Sequence, residues 1–458
     1  MLDQSLIILF IALFTFLSWR KLDLGLFFIF LFLPSYLIRF KFAGIPSTLL
    51  EIIVWIVFLI YLAKIITNKT LKSQISNLKS YVKDNPSLFI AIILFLLAAT
   101  ISVFTSIDMR SALGEWKAFY IEPFLLFIVL ISLPLSEGDA QGGQRGSLAE
   151  KILFALVLCG LATSLLAIYQ HFTGYMVPWK FWENGATFRV TGWYGFPNGV
   201  GLFLAPIFPL AIYLTKNYYH KLKGLKRNKK QETRNKKQSN FKNWLIFVSC
   251  ILYLVSCPLA VFFAKSTGGL IGILAGVGIL LILSKKTRKY TLIFGILSFL
   301  IFILIPTNPI KEELLMQDRS GQLRINMWAE TTEFLSDHPI KGAGLASYKT
   351  LIYPYRIDKW IEVFHHPHNI FLTMWVNLGL LGLLGFTWIL VWFFRVGLQN
   401  LQATSYKLTP FLLASMTTLI TTGLVDSPYI KNDLSIFFWL LPALLIFTTG
   451  QKQEKEIE

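Results

Sequence analysis

The most regular feature of the chain is a succession of apolar runs separated by short polar breaks. They fall at 4–19, 22–38, 47–66, 86–105, 116–135, 150–170, 198–216, 243–264, 267–284, 290–306, 369–395, 408–425 and 434–450. Many approach the roughly 20 residues that a helix needs to cross a hydrocarbon core. Inside such a core every backbone amide must find its partner within the segment, so each run is predicted to be helical. The alternation that marks a barrel strand is not seen. The pattern predicts an all-α polytopic membrane protein of about 12–13 spanning helices. The first pair decides the count. Two crossings there put the N-terminus outside together with Arg39 and Lys41, and one interfacial helix leaves twelve.

The polar breaks divide the chain further. Residues 1–170 and 171–306 are strings of spans, 307–368 is one long polar loop, 369–450 returns to spans, and 451–458 is a charged tail. The segment from Lys216 to Lys242 holds eleven Lys or Arg and one acid, Glu232. It is low-complexity, so a lysine-rich loop without a fold of its own is expected at 217–242. KKTRK at 285–289 and the stretch from Lys64 to Lys83 are also basic. Basic loops stay in the cytoplasm, and the alternation of spans then sends 171–197, the turn near Lys265, 307–368 and 426–433 to the far side. The C-terminal tail is expected in the cytoplasm.

Composition agrees with this picture. Of 458 residues, 55% are hydrophobic and only 15% charged, against roughly 25% charged in soluble domains. The net charge of +18 could suggest nucleic acid, but the surplus sits beside helix ends as the positive-inside rule requires, so no nucleic-acid partner is expected. Cys159, Cys250 and Cys257 all fall within apolar runs, which argues against a disulfide framework or metal thiolates. The opening MLDQSLIILF lacks a basic n-region, so a retained helix is expected rather than a cleaved leader.

The loop 307–368 carries seven Lys or Arg, eight acids and four of the six histidines. Within it, 321–336 reads as an amphipathic helix with Leu323, Met327, Trp328, Thr331, Phe334 and Leu335 on one face and Ser320 as its N-cap. Long structured loops tend to carry function. At its end stands HHPHNIFL, where His366, His368 and Asn369 meet an apolar run. Imidazole is the side chain best suited to take a proton near neutral pH. Asn369 could instead serve as a helix cap. A zinc site competes weakly, since no paired carboxylate lies close in sequence. Arg189, Lys265, Arg319 and Arg324 lie at external helix ends, against the positive-inside trend. Each could be a snorkelling anchor; converging, they suit phosphate oxygens. The glycines after Lys265 allow close backbone approach at a helix start. Glu51, Glu122 and Asp426 are acids in or beside spans, which suggest ion pathways or buried ion pairs. Glu51 and Glu122 lie near span boundaries, where structural pairing fits equally well, and Asp426, at an external helix end, could touch the same site.

These residues resemble the O-antigen ligase and polymerase superfamily, which also includes bacterial protein O-oligosaccharyltransferases. Four pieces in order carry the resemblance, over roughly 185–395. They are the polar-aromatic stretch ending in Pro197-Asn198; the hairpin Lys265-Ser266-Thr267-Gly268-Gly269, with a shifted lysine where the family has an arginine; Arg324 and Trp328 followed by Pro339, Gly342 and Gly344; and His366-Pro367-His368-Asn369 with Leu372, Asn377 and Gly379. The resemblance implies a C-type membrane glycosyltransferase fold in the bacterial cytoplasmic membrane. It implies metal-independent, inverting transfer of a glycan from a polyprenyl diphosphate such as undecaprenyl diphosphate, with no cofactor. His368 would be the general base and Arg189, Lys265, Arg324 and Arg319 would hold the diphosphate. His366, Asn369, Asn198 and Asp426 would support them. The acceptor hydroxyl stays open among lipid A core (O-antigen ligase), a second lipid-linked unit (polymerase) and protein. A lipid-linked glycan flippase is the rival of another class; transporters often show internal repeats and broken midplane helices, and neither is found.

Overall fold

The computed structural model describes residues 4–42, 45–67, 78–133, 148–185, 187–227, 234–401 and 407–457. The N-terminal part contains α1 (Gln4–Arg20), α2 (Leu22–Leu31), α3 (Leu49–Thr67), α4 (Pro86–Phe104), α5 (Met109–Glu115), α6 (Glu122–Ser132) and α7 (Leu148–Thr173). The middle contains α8 (Lys180–Glu183), α9 (Asn198–Arg227), α10 (Arg234–Phe263), α11 (Thr267–Leu283) and α12 (Arg288–Leu304). The long polar loop folds into α13 (Pro309–Leu314), α14 (Arg319–Asp337) and α15 (Tyr348–Leu351). The chain closes with α16 (Ile370–Asn400), α17 (Thr409–Gly423) and α18 (Asn432–Ile457). Among the described residues the only strands are β1 (Arg39–Phe42) and β2 (Ile45–Thr48), an antiparallel hairpin with Arg39 opposite Thr48.

Every apolar run carries a helix, as backbone satisfaction in hydrocarbon demands. Six of them, α3, α4, α7, α9, α10 and α16, are long and apolar enough to cross a bilayer unaided. The break between α12 and the α13–α14 segment bends by 111°, and that pair taken together makes a seventh. α1, α2, α11 and α18 are shorter apolar helices. The protein is an all-α polytopic membrane protein.

Lipid is as apolar as leucine, so close packing rather than hydrophobicity must join helices inside a bilayer. The α11 stripe of Gly268, Gly272 and Gly276 shows how. A side chain at Gly272 would strike Thr418 and Thr422 of α17, and one at Gly268 would strike Val425 just beyond it. α9 is the hub, packed against α7, α10, α11 and α17. Its internal Pro206 and Pro209 cost helix amides. Carbonyls beside them are answered by partners: the Tyr253 hydroxyl donates to Leu204 O at 2.6 Å and Ser415 Oγ to Pro206 O at 2.6 Å.

The loop helix α14 forms where its periodicity predicts, with Met327, Thr331, Phe334 and Leu335 buried. Its cap is Asp318, not Ser320: the carboxylate accepts from Ser320 N and Gly321 N, and an anion at a helix start outperforms a hydroxyl one residue inside it. Beyond it the loop docks into a break in α16. Gly379 has φ of 69° there, and its neighbour's amide, Leu380 N, donates to Ile340 O at 2.9 Å. Only glycine tolerates both that backbone and the approaching carbonyl. The basic loop expected at 217–242 is shorter than predicted, because α9 runs on to Arg227 and α10 starts at Arg234; lysine and arginine are good helix formers. Residues 228–233, and 68–77 of the other basic stretch, lie outside the described residues.

Glu51 and Glu122 are structural, as their positions suggested. Lys117 Nζ meets Glu51 Oε2 at 3.0 Å and Trp55 Nε1 donates to Glu122 at 2.9 Å. The three cysteines are buried and free.

Candidate active site

Five chain segments converge at one end of the bundle: the approach to α9, the α10–α11 turn, α14, the approach to α16 and the α17–α18 connection. A continuous hydrogen-bond path runs across them. Arg189 Nη2 donates to Asn198 Oδ1 at 3.1 Å, Asn198 Nδ2 donates to Asp426 Oδ2 at 3.1 Å, and Asp426 Oδ1 lies 3.1 Å from His368 Nδ1. The residues are up to 237 positions apart in sequence, counting from 189 to 426. Their contact is purely a product of the fold.

The local backbone is built to present His368. It adopts φ of 49°, a left-handed conformation that costs a non-glycine residue energy unless neighbours enforce it. The enforcement is visible. Trp328 Nε1 of α14 donates to Pro367 O at 2.9 Å, and Asn369 Oδ1 accepts from Phe371 N and Leu372 N. Asn369 Nδ2 also donates to Leu424 O at 3.1 Å. The cap reading of Asn369 holds, and its side-chain amide also ties the approach of α16 to the end of α17.

Asp426 is buried. Burial alone would raise its carboxyl, but the His368 and His366 rings and the Ser427 amide outweigh it, and the group is held well below the usual carboxylate range. An ionised Asp426 can only accept, so it fixes the proton of His368 on Nδ1 and leaves Nε2 with its lone pair. His366 packs beside it, ring centroids 4.8 Å apart. Burial pushes His366 down to about 3, with His368 adding to the fall and Asp426 opposing it, so this second imidazole is neutral.

The cations gather next to the dyad. Arg189 Nε donates to Ala264 O at 2.9 Å and Nη2 to Lys265 O at 2.7 Å, which staples the α10–α11 turn to the approach of α9. Arg324 Nε donates to Val425 O at 2.9 Å, next to Asp426. Burial and repulsion from Arg324 pull Arg189 down to about 10, against Glu313. Two guanidiniums thus lie close enough for each to disfavour the other's charge. Arg189 Nη1 and Arg324 Nη2 donate to no protein acceptor among the described residues. Lys265 reaches the site through its carbonyl; its side chain is exposed. Arg319 sits on the exposed first turn of α14 outside the hydrogen-bonded path.

His366, His368 and Asp426 have ligand atoms within 4.8 Å of one another, a spacing that could hold a metal ion. The carboxylate that the zinc reading lacked nearby in sequence arrives from another segment. Its oxygens, however, are engaged by His368, Ser427 N and Asn198, and the surroundings are cationic, which disfavours a second positive charge. Sequence reasoning passed over one residue here, Lys431, whose ammonium lies 3.8 Å from the Phe196 ring centroid. Its only signal was position, on a loop already assigned to the external side.

The chain is similar to known proteins through part of its length. Residues 251–387 match the O-antigen ligase family. A Rickettsia felis protein named "Putative polysaccharide ligase" is 30% identical over 172 residues, which are 36% of this chain and 42% of that protein. Its Rickettsia typhi counterpart is 32% identical over 184 residues, 37% of this chain and 45% of the relative, and the one from Rickettsia prowazekii is 29% identical over 181, 37% and 44%. The chain thus spans less than half the length of the curated relatives it matches. The matched family stretch contains Lys265, Arg324, His366 and His368, whereas Arg189, Asn198 and Asp426 come from either side of it. Over this stretch, with its all-α membrane fold and the motif residues in order, the chain is similar to the O-antigen ligase family.

Proposed function

We propose that the protein transfers a glycan from a polyprenyl diphosphate to an acceptor hydroxyl, on the extracytoplasmic face of a bacterial cytoplasmic membrane, as an O-antigen ligase does. The observation that carries this is the His368–Asp426 pair at 3.1 Å beside two mutually repelling arginines. One half supplies a base and the other supplies charge for a phosphate leaving group.

In this reading His368 Nε2 takes the proton of the acceptor hydroxyl. The acceptor oxygen bonds to the anomeric carbon as the bond from that carbon to the diphosphate oxygen breaks. The electron pair leaves with the diphosphate, and attack from the opposite face inverts the carbon. Arg189 and Arg324 receive the developing charge, with Lys265 and Arg319 reaching in from the rim; fixed cations at such a position can serve where other enzymes use a metal. Asp426 holds the proton of His368 on Nδ1 and stabilises the imidazolium that forms, the role an acid plays behind a catalytic histidine. Asn198 ties Arg189 to Asp426, so that charge binding and base orientation share one framework. His366, neutral, packs against the base. Lipid A core, a second lipid-linked unit and a protein hydroxyl are the acceptor classes that the same chemistry accommodates.

The test is reconstitution with a lipid-linked oligosaccharide and each acceptor, following release of polyprenyl diphosphate. His368→Ala is expected to lose about 10²–10⁴-fold in turnover while inserting and folding normally. Transfer at the unmutated rate by this variant would end the general-base assignment.

A further inference from the structure

The connection between α17 and α18 carries a cation that the mechanism above does not use. Lys431 Nζ lies 3.8 Å from the Phe196 ring centroid and 5.9 Å from that of Tyr194. Asp426 and Asp433 both act on it electrostatically, yet both are occupied elsewhere. Asp433 accepts from the Tyr194 hydroxyl at 3.1 Å and from Leu434 N at 3.0 Å. Asp426 is taken by His368, Ser427 N and Asn198.

An ammonium has three N–H bonds to satisfy. Among the described residues none of those of Lys431 has an oxygen acceptor; its partner is the π face of Phe196. Lysines with a structural task in this protein look different. Lys117 meets Glu51 at 3.0 Å and Lys221 meets Glu150 at 2.7 Å. Burial pulls Lys431 down to about 8, against the two aspartates, and Arg39 of the β1–β2 hairpin adds to the fall. A half-buried cation left without an acceptor is costly to keep charged, and an incoming oxyanion offsets that cost. It lies on the same connection as Asp426, and Phe196, whose ring its ammonium covers, is two residues from Asn198, the donor to Asp426.

We propose that Lys431 is a further substrate-binding residue, whose ammonium takes a phosphate or carboxylate oxygen of the substrate beside His366, His368 and Asp426. The oxyanion has two sources, the donor's diphosphate or an acidic group on the acceptor. That the ligand is a substrate of glycosyl transfer rests on the preceding proposal; that an oxyanion binds here does not.

The experiment compares the purified full chain with Lys431→Met, Lys431→Arg, Asp433→Asn and His368→Ala. Inorganic pyrophosphate binding is measured by calorimetry, and donor and acceptor KM by reconstituted transfer. Removing a charge-assisted contact is expected to weaken pyrophosphate binding about tenfold or more in Lys431→Met, with Lys431→Arg within about threefold of the unmutated protein. That result assigns the oxyanion to the donor. Unchanged pyrophosphate binding with a comparable rise in acceptor KM assigns it to the acceptor. If neither changes, the proposal is overturned. Should Lys431→Met fail to fold, Asp433→Asn decides: freeing Lys431 from a nearby negative charge should tighten one of the two ligands by about threefold, and unchanged affinity for both overturns the assignment. His368→Ala should keep pyrophosphate binding while losing turnover. A protein that never transfers glycan yet loses pyrophosphate through Lys431→Met would remove the preceding proposal and leave this site standing.

Discussion

Two buried acids in this bundle have opposite fates. Glu330 on α14 faces Arg356, Nε to Oε2 at 3.3 Å, with both side chains almost fully enclosed. The contact is close though not aligned as a hydrogen bond. Its surroundings are closed: Glu330 Oε1 accepts from Ile357 N at 2.9 Å, and Arg356 Nη2 donates to Asp358 O at 2.7 Å. Asp426 also faces a basic side chain, but His368 keeps 16% of its side chain exposed and has an uncommitted ring nitrogen. Around it, arginine and lysine donors are left without acceptors among the described residues. In the first pair only Arg356 Nε lacks an aligned acceptor, and it already faces the carboxylate; in the second the open donors face no protein acceptor among the described residues. Burial of charge alone therefore does not distinguish the two pairs, whereas bonding capacity left open beside the charge does.

After that of His368→Ala, the largest effect expected on the open side comes from its cations. Arg189→Ala or Arg324→Ala should each lower turnover by about 10²–10³-fold, as loss of a donor aimed at developing charge does, measured as release of polyprenyl diphosphate. A change confined to acceptor KM would move these arginines out of the leaving-group site. On the closed side, Glu330→Ala should cost roughly 3–5 kcal/mol of stability by stranding Arg356. Thermal unfolding in detergent reads that loss, and protein that remains folded should bind pyrophosphate unchanged.

A smaller effect follows from His366. Its folded-state pKa lies at about 3, below the roughly 6.5 of a free imidazole. The unfolded chain therefore takes up the proton first as pH falls, and stability drops between about 6.5 and 3. His366→Asn should flatten that part of the Tm–pH curve; an identical slope would show the ring is not buried neutral. The smallest expected effect is none: a chelator added to the reconstituted reaction should leave the rate unchanged. Loss of activity restored by a divalent ion would instead convert His366, His368 and Asp426 into a metal site.

Much of this arrangement was readable from the chain because it is governed locally. Each apolar run became a helix since hydrocarbon leaves the backbone no alternative, and α14 followed its own periodicity. Asn369 and His368 stood out because polar residues at the mouth of an apolar span need a reason to be there. What was not readable depends on distance in sequence. Asp426 was read as an acid at an external helix end able to touch the same site, but nothing within the chain joins it to His368, 58 positions away. The zinc reading was weighed without this acid for the same reason. Lys431 carried no motif at all; its unfilled ammonium is visible only once Phe196 and Asp433 are in place. Conversely, Lys265 matched by motif, yet it contributes a carbonyl to Arg189 and holds its own side chain in the open. Arg319, five residues before Arg324, is exposed at the start of α14, outside the hydrogen-bonded path.

The most direct test of the central claim is a double-mutant cycle on the dyad. Turnover is compared for His368→Ala, Asp426→Asn and the two combined, each checked for folding by thermal unfolding. If Asp426 acts only through His368, the single variants are each severely impaired and the combined variant is no slower than His368→Ala alone, since residues that work as a unit lose activity non-additively. Losses that multiply, one for each residue, would mean that the two side chains serve separate purposes, and the shared base would have to be given up.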